Sequence, residues 1–117
     1  MARGERLIVC RSEALVDGGA GVRFEVESAG TRRPAFAVRY AGRVYAYRNR
    51  CAHVGVELDW QPGHFFDADG MVLICSTHGA LYDPRTGACR GGPCRGGGLE
   101  PVAVEEVDGN VVLGTKD

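Results

Sequence analysis

Two matched pairs of side chains stand in the middle of the chain: Cys51 with His53, and Cys75 with His78. The first pair is spaced Cys-x-His and the second Cys-x-x-His, with residues 54–74 between them. Thiolate sulfur and imidazole nitrogen are both good ligands for borderline and soft transition metals. On a tight turn either spacing lets both side chains of a pair point at one small volume. Two facing loops would then supply a Cys2His2 set. Two centres suit that set: a tetrahedral zinc ion, or a 2Fe–2S cluster with cysteines on one iron and histidines on the other. Zinc sites usually group like ligands, Cys with Cys and His with His. Here each pair is mixed, and the first gap is a single residue.

The elements that must carry these loops read as strands. Leu7 to Cys10 is a short apolar strand candidate, followed by the turn Asp17-Gly18-Gly19. Val22 to Glu27 alternates apolar and charged residues, the period of a half-buried strand. Ala35 to Tyr40 and Arg43 to Tyr47 flank Ala41-Gly42, which reads as a tight hairpin turn. Polarity then rises at Arg48-Asn49-Arg50 and delivers the first pair into a loop. Residues 54–70 hold Gly55, Pro62-Gly63 and Asp69-Gly70 and should be mostly loop. Met71 to Ile74 is a buried strand run ending at Cys75, and Ala80 to Asp83 returns as its partner. That makes Ser76 to Gly79 a hairpin tip. Pro84 to Gly87 has turn composition, and Gly91 to Gly98 can hardly form a regular element. The chain finishes with Leu99 to Val107, the turn Asp108-Gly109 and Asn110 to Leu113. No segment has convincing helical periodicity; Ser12 to Asp17 forms a turn at most. The expected class is all-β and antiparallel, with ligand loops inserted between outer strands from both termini.

Bulk properties exclude several function classes. A length of 117 residues suits one domain. A net charge of -1 gives no electrostatic case for nucleic acid or an anionic membrane. All but one of the basic residues are Arg, spread along the chain. The start is followed by only four apolar residues, too few for a signal peptide, and no run approaches a membrane span. The expectation is a cytoplasmic protein. Five cysteines is an odd count, and in a reducing compartment metal ligation is a better use than a disulfide framework.

The stretch Cys51-Ala52-His53 … Cys75-Ser76-Thr77-His78 closely resembles the signature of the Rieske family. Gly79 follows the last ligand as in that family, and Gly92-Pro93-Cys94 resembles its proline loop. The resemblance runs from about residue 35 to the C-terminus. It implies a Rieske-like antiparallel β-sandwich with an inserted cluster-binding subdomain, as a single domain over 1–117. The cluster-binding loops would occupy about 48–83 and the proline loop about 91–98. The basal strands would come from residues 5–47 and 99–114. It implies a 2Fe–2S cluster of Rieske type with Cys51 and Cys75 on the inner iron and His53 and His78 on the outer. It further implies a one-electron carrier, a ferredoxin-type partner of a reductase and of an acceptor such as an oxygenase. The chain leaves no room for a flavin or mononuclear-iron domain.

Charge accounts for that activity. Two ferric ions, two sulfides and two thiolates sum to zero, so such a cluster accepts an electron more readily than a four-cysteine one. Rieske centres in general span about −150 to +300 mV. High-potential members place a Ser hydroxyl two residues after the second His and a Tyr hydroxyl two further on. Here those positions are Ala80 and Tyr82. Their inter-loop disulfide is impossible, because Val56 and Thr77 occupy its positions. One donor missing of two implies the lower part of the range.

The remaining candidates have plainer readings. His64 reads as a solvated loop residue, Cys10 as a small core residue, and Trp60 as packing rather than an electron relay. Tyr82 is equally readable as core or as a hydrogen-bond donor to the cluster. Cys89 and Cys94 are near enough for a local disulfide, but buried or free thiols are the preferred expectation. Two other functions stay open: a tightly bound small subunit or redox-sensing module of a larger enzyme, and a structural zinc module.

Overall fold

Both turn dipeptides singled out above close hairpins in a computed structural model of the chain. Ala41 and Gly42 have φ of 52° and 83°, and Asp108 and Gly109 have 51° and 80°. Two successive positive φ values match the right-handed twist of the strands they join. The structure describes residues 7–28, 30–51, 57–59, 61–75, 79–94 and 97–114. Among these, the strands are β1 (Ile8–Arg11), β2 (Val22–Ser28), β3 (Thr31–Tyr40), β4 (Arg43–Arg48), β5 (Leu73–Ile74), β6 (Leu81–Tyr82), β7 (Cys89–Gly91), β8 (Val104–Val107) and β9 (Asn110–Leu113). They form three antiparallel sheets ordered β1-β9-β8, β2-β3-β4 and β5-β6-β7. The all-β antiparallel expectation holds. A single 3-10 turn at Ser12–Ala14 occupies the stretch read as a turn at most.

The sheet β2-β3-β4 is the middle layer, and strand alternation divides its side chains between two cores. Phe36, Val38 and Tyr47 face one core with Leu58, Phe65, Leu73, Cys75 and Tyr82. Ala37 and Ala46 face the other, with Leu15 and Val111. Residues 35–38 are therefore fully buried on both faces, which explains their unbroken apolar run. Phe36 stacks on Phe65 with ring centroids 3.9 Å apart, so the loop carrying Phe65 is tied to the middle layer.

Strand limits differ from the sequence reading where local pattern and tertiary pairing disagree. β3 begins at Thr31 instead of Ala35, because Ser28 to Glu25 pair with Thr31 to Pro34 and Arg32 meets Glu25 across the strands at 3.0 Å. Pro34 cannot donate to a ladder, yet its carbonyl accepts the Asn49 N–H at 2.9 Å. Met71 and Val72 do not join β5; both N–H groups donate to the Asp67 carboxylate, which caps a turn there. Leu99 to Ala103 is not regular strand either. Pro101 makes one isolated bridge with Tyr47, and the ladder resumes only at β8. β7 lies at the edge of a segment expected to be irregular.

Candidate metal centre

Cys51 follows β4 after two residues, and Cys75 follows β5 directly. Among the described residues, backbone bonds close the second loop at its base. Cys75 N–H donates to Ala80 O at 2.9 Å, and Gly79 N–H donates to Cys75 O at 2.7 Å. Gly79 has φ of 76°, the conformation that a tight return favours in glycine. At the neck of the first loop, the bonds among the described residues come from side chains. Asn49 Oδ1 accepts the Leu58 N–H at 2.8 Å, and Asn49 Nδ2 donates to Asp59 Oδ1 at 2.9 Å.

Both cysteines are buried, at 1% and 0% exposure, and they share one apolar cluster with Ala80, Tyr82 and Cys94. The Tyr82 hydroxyl stands 3.3 Å from Cys51 Sγ. With the sulfur as thiolate, the hydroxyl is the donor. Tyr82 is thus both core and hydrogen-bond partner, the two readings its sequence position left open. Ala80, fully buried, offers no hydroxyl. His53, His78 and Trp60 lie outside the described residues. His64 is exposed, as expected of a loop residue, and Cys10 is partly buried against the other core. Burial pushes the Cys10 thiol up, with Arg39 opposing the shift, so Cys10 stays protonated at neutral pH.

The glycine-proline segment reaches this cluster from a third side. A Cβ on Gly92 would lie 2.6 Å from Gly79 O and 3.1 Å from Ala80 Cα. Only a residue without Cβ allows the proline loop to lie so close to the end of the second ligand loop. Cys89 and Cys94 are joined by a disulfide, against the preference for thiols drawn from the compartment. The chain turns back between them at Gly92, with φ of 79°, and leaves the two Cα atoms 5.6 Å apart, which local sequence does not reveal. Tyr47 secures the turn between β6 and β7, its hydroxyl donating to Pro84 O at 2.8 Å. Burial, aided by the Asp83 charge, lifts that hydroxyl well above the usual phenol range, so it remains a donor.

These features fit an iron–sulfur group held by two thiolates. Two buried sulfurs share one cluster, a hydroxyl points at one of them, and backbone packs closely beside the second loop. The other cysteines are committed elsewhere, two to the disulfide and Cys10 to the opposite core. Two buried thiolates without a cation would be costly, and a cluster supplies that charge.

Sequence reasoning missed Asn49 and Asp59. Asn49 was read as part of a rise in polarity, yet it is 1% exposed, and Asp59 is 5% exposed. Their only signal is position, one just before the first Cys and one just after the loop returns.

A family model described as the Rieske [2Fe-2S] domain matches residues 5–108. No curated protein sequence matches the chain. Among solved structures, the ferredoxin of carbazole 1,9a-dioxygenase from Nocardioides aromaticivorans IC177 aligns at TM-score 0.70 and 24% identity, covering 95% of this chain and 98% of that one. The Sphingomonas yanoikuyae B1 ferredoxin aligns at 0.73 and 24%, covering 96% and 100%. A chain from the complex of reduced oxygenase and oxidized ferredoxin in carbazole 1,9a-dioxygenase aligns at 0.71 and 27%, covering 96% and 95%. Among the described residues, no helix is long and apolar enough to cross a membrane.

Proposed function

This chain belongs to the Rieske [2Fe-2S] domain family, whose cofactor is a Rieske-type 2Fe–2S cluster, and from that premise we propose that it is a one-electron carrier of ferredoxin type serving an oxygenase. Its partners in this reading are a reductase and the oxygenase, both met in brief redox encounters. Similar structures include ferredoxins, one of them named for carbazole 1,9a-dioxygenase and one drawn from an oxygenase–ferredoxin complex, which supports that choice of partner. The single domain over 1–117 is part of the proposal. The observation that carries it is the buried Cys51–Cys75 cluster with the Tyr82 hydroxyl on Cys51 Sγ.

When bound, the cluster supplies a site that takes up and gives back one electron. Cys51 and Cys75 would hold it through thiolate sulfur, and His53 and His78 through imidazole nitrogen. Tyr82 donates toward Cys51, which eases the arrival of negative charge there. Gly92 and Pro93 are exposed while Cys94 beneath them is buried. In this reading the proline loop would cover the cysteine sulfurs with Cys94 and present Gly92 and Pro93 to solvent.

The assignment of His78 is tested by His78→Cys. The exchange of a neutral ligand for a thiolate adds negative charge, so some cluster should still assemble, at a markedly lower potential. An unchanged potential in that variant would remove His78 from the iron. A zinc module is separated by colour, because zinc with thiolate and imidazole does not absorb in the visible. Stopped-flow reduction of a candidate oxygenase separates a transient carrier from a subunit that co-purifies with its enzyme.

A cytoplasmic location belongs to the same proposal. Cell fractionation tests it: recovery with cytoplasmic markers supports the location, and recovery from an extracytoplasmic fraction overturns it.

A further inference from the structure

The two ligand loops are closed by different means, and the difference singles out one pair of side chains. Asn49 on one side and Leu58 and Asp59 on the other flank the segment that carries Cys51 and His53 in sequence. Asn49 spans the neck of this loop through Leu58 N–H and Asp59 Oδ1. Asp59 Oδ2 accepts the Gly63 N–H at 2.9 Å and meets Arg23 Nε at 3.3 Å. Arg23 stands on β2 and also bonds Glu57, so the neck is tied to the middle sheet. The Asn49 backbone N–H is anchored to Pro34 O on β3. The Asp59 side chain is fully buried, and three donors surround it.

We propose that Asn49 and Asp59 form a polar clamp that positions the first ligand loop and thereby sets the electronic environment of the metal centre. They are positioning residues, acting through Cys51 and His53, and the inference rests on the reading that those two are ligands. At the base of the second loop, the described residues supply backbone bonds between Cys75, Gly79 and Ala80. Val56 and Thr77 stand where an inter-loop disulfide would need cysteines, and the buried polar neck is a tie on the first loop that the described residues do supply.

Donor and acceptor polarity makes the clamp directional. Asn49 presents an acceptor to Leu58 and a donor to Asp59, while Asp59 presents acceptors only. Asn49→Asp sets oxygen against oxygen across the pair and buries a second carboxyl group. Asp59→Asn leaves one amide unable to satisfy every contact, with a donor turned on a donor. The reciprocal double variant restores each hydrogen bond, with the Arg23 ion pair becoming a contact with a neutral amide: Asp at 49 accepts from Leu58 and from the new amide, and Asn at 59 accepts from Gly63 and Arg23. Shape and net charge are conserved throughout that exchange.

The test uses the iron-loaded protein and three variants, N49D, D59N and the double N49D/D59N. Amide hydrogen exchange is read at Leu58 and Gly63, together with the electron paramagnetic resonance g-values and the midpoint potential. Each single variant should speed exchange at both amides at least about tenfold and move the g-values and potential. The double should bring exchange back to within about twofold of the parent and restore the spectrum. Faster exchange with an unmoved spectrum and potential would reduce the clamp to a stability feature and overturn the proposal. So would a double variant that is no better than the singles. Should the singles fail to fold, a folded double with the parent's g-values supports the clamp, and an unfolded double overturns it. Failure of the metal reading looks different: the parent would give no iron signal, while unchanged exchange in the singles would independently sink the clamp.

Discussion

The Tyr82 hydroxyl and the Cys51 sulfur meet at 3.3 Å with both residues buried. In such a setting a hydrogen bond is not diluted by competing water. Its effect on an electron carrier is to stabilise the more negative, reduced state. A net worth of about 0.5–1.5 kcal/mol corresponds to roughly 20–60 mV in a one-electron couple. Tyr82→Phe should lower the midpoint potential by that amount without loss of the cluster, as protein-film voltammetry would show; a potential that stays level would make Tyr82 a packing residue only. At this scale the two cysteines were legible as a pair, because residue type and spacing pointed to Cys51 and Cys75, which share one buried cluster; His53 and His78 lie outside the described residues. Asn49 and Asp59 were not legible, since their bond exists only once the loop between them has folded back. The same holds for Cys89 and Cys94, whose sulfurs meet only once the chain between them has turned back at Gly92.

Between elements, Arg39 is the main polar joint. From β3 it donates to Leu15 O at 2.8 Å, to Ser12 O at 3.0 Å and to the Glu106 carboxylate of β8 at 2.7 Å. It thereby ties the middle sheet to the terminal one. Arg39→Met strips the donors from those carbonyls and should cost about 1–3 kcal/mol in denaturant unfolding; a loss near zero would mean water replaces the guanidinium. Glu106 contributes differently. The hydrogen bond from Arg39, helped by one from Ser12, holds its carboxyl below the usual range. A folded value below the unfolded one of about 4.3 means the contribution is present above that pH. It is lost as pH falls through the lower folded value. Glu106 is partly exposed, so screening keeps the term under about 1 kcal/mol. Glu106→Gln should be slightly less stable than the parent at pH 7 and equal to it at strongly acid pH. A gap that widens on acidification would contradict the pairing. Elements were legible where turn chemistry is local, as at Ala41-Gly42 and Asp108-Gly109. β7 was not, because Cys89-Arg90-Gly91 has no strand pattern and is extended only because β6 offers it a partner.

Across the whole molecule, the three sheets are not equally able to stand alone. β2, β3 and β4 are long and share cores on both faces, whereas β5 and β6 have two residues each and β7 has three. Strands of that length do not persist without outside support. Phe36, Val38 and Tyr47 supply part of it from the middle layer, and the Cys89–Cys94 bridge supplies a local staple. The remaining support in this reading is the metal centre, which would join Cys51 at the end of β4 to Cys75 at the end of β5. Metal affinity is then folding free energy for the small sheet alone. Removal of iron should therefore lower hydrogen-exchange protection at Leu73, Ile74, Leu81 and Tyr82 by at least about a hundredfold. Phe36, Val38 and Val111 should keep most of theirs. Loss spread evenly over all three sheets would show one cooperative unit. No loss in the small sheet would show that Phe36, Val38, Tyr47 and the disulfide hold the two cysteines in place before any iron arrives.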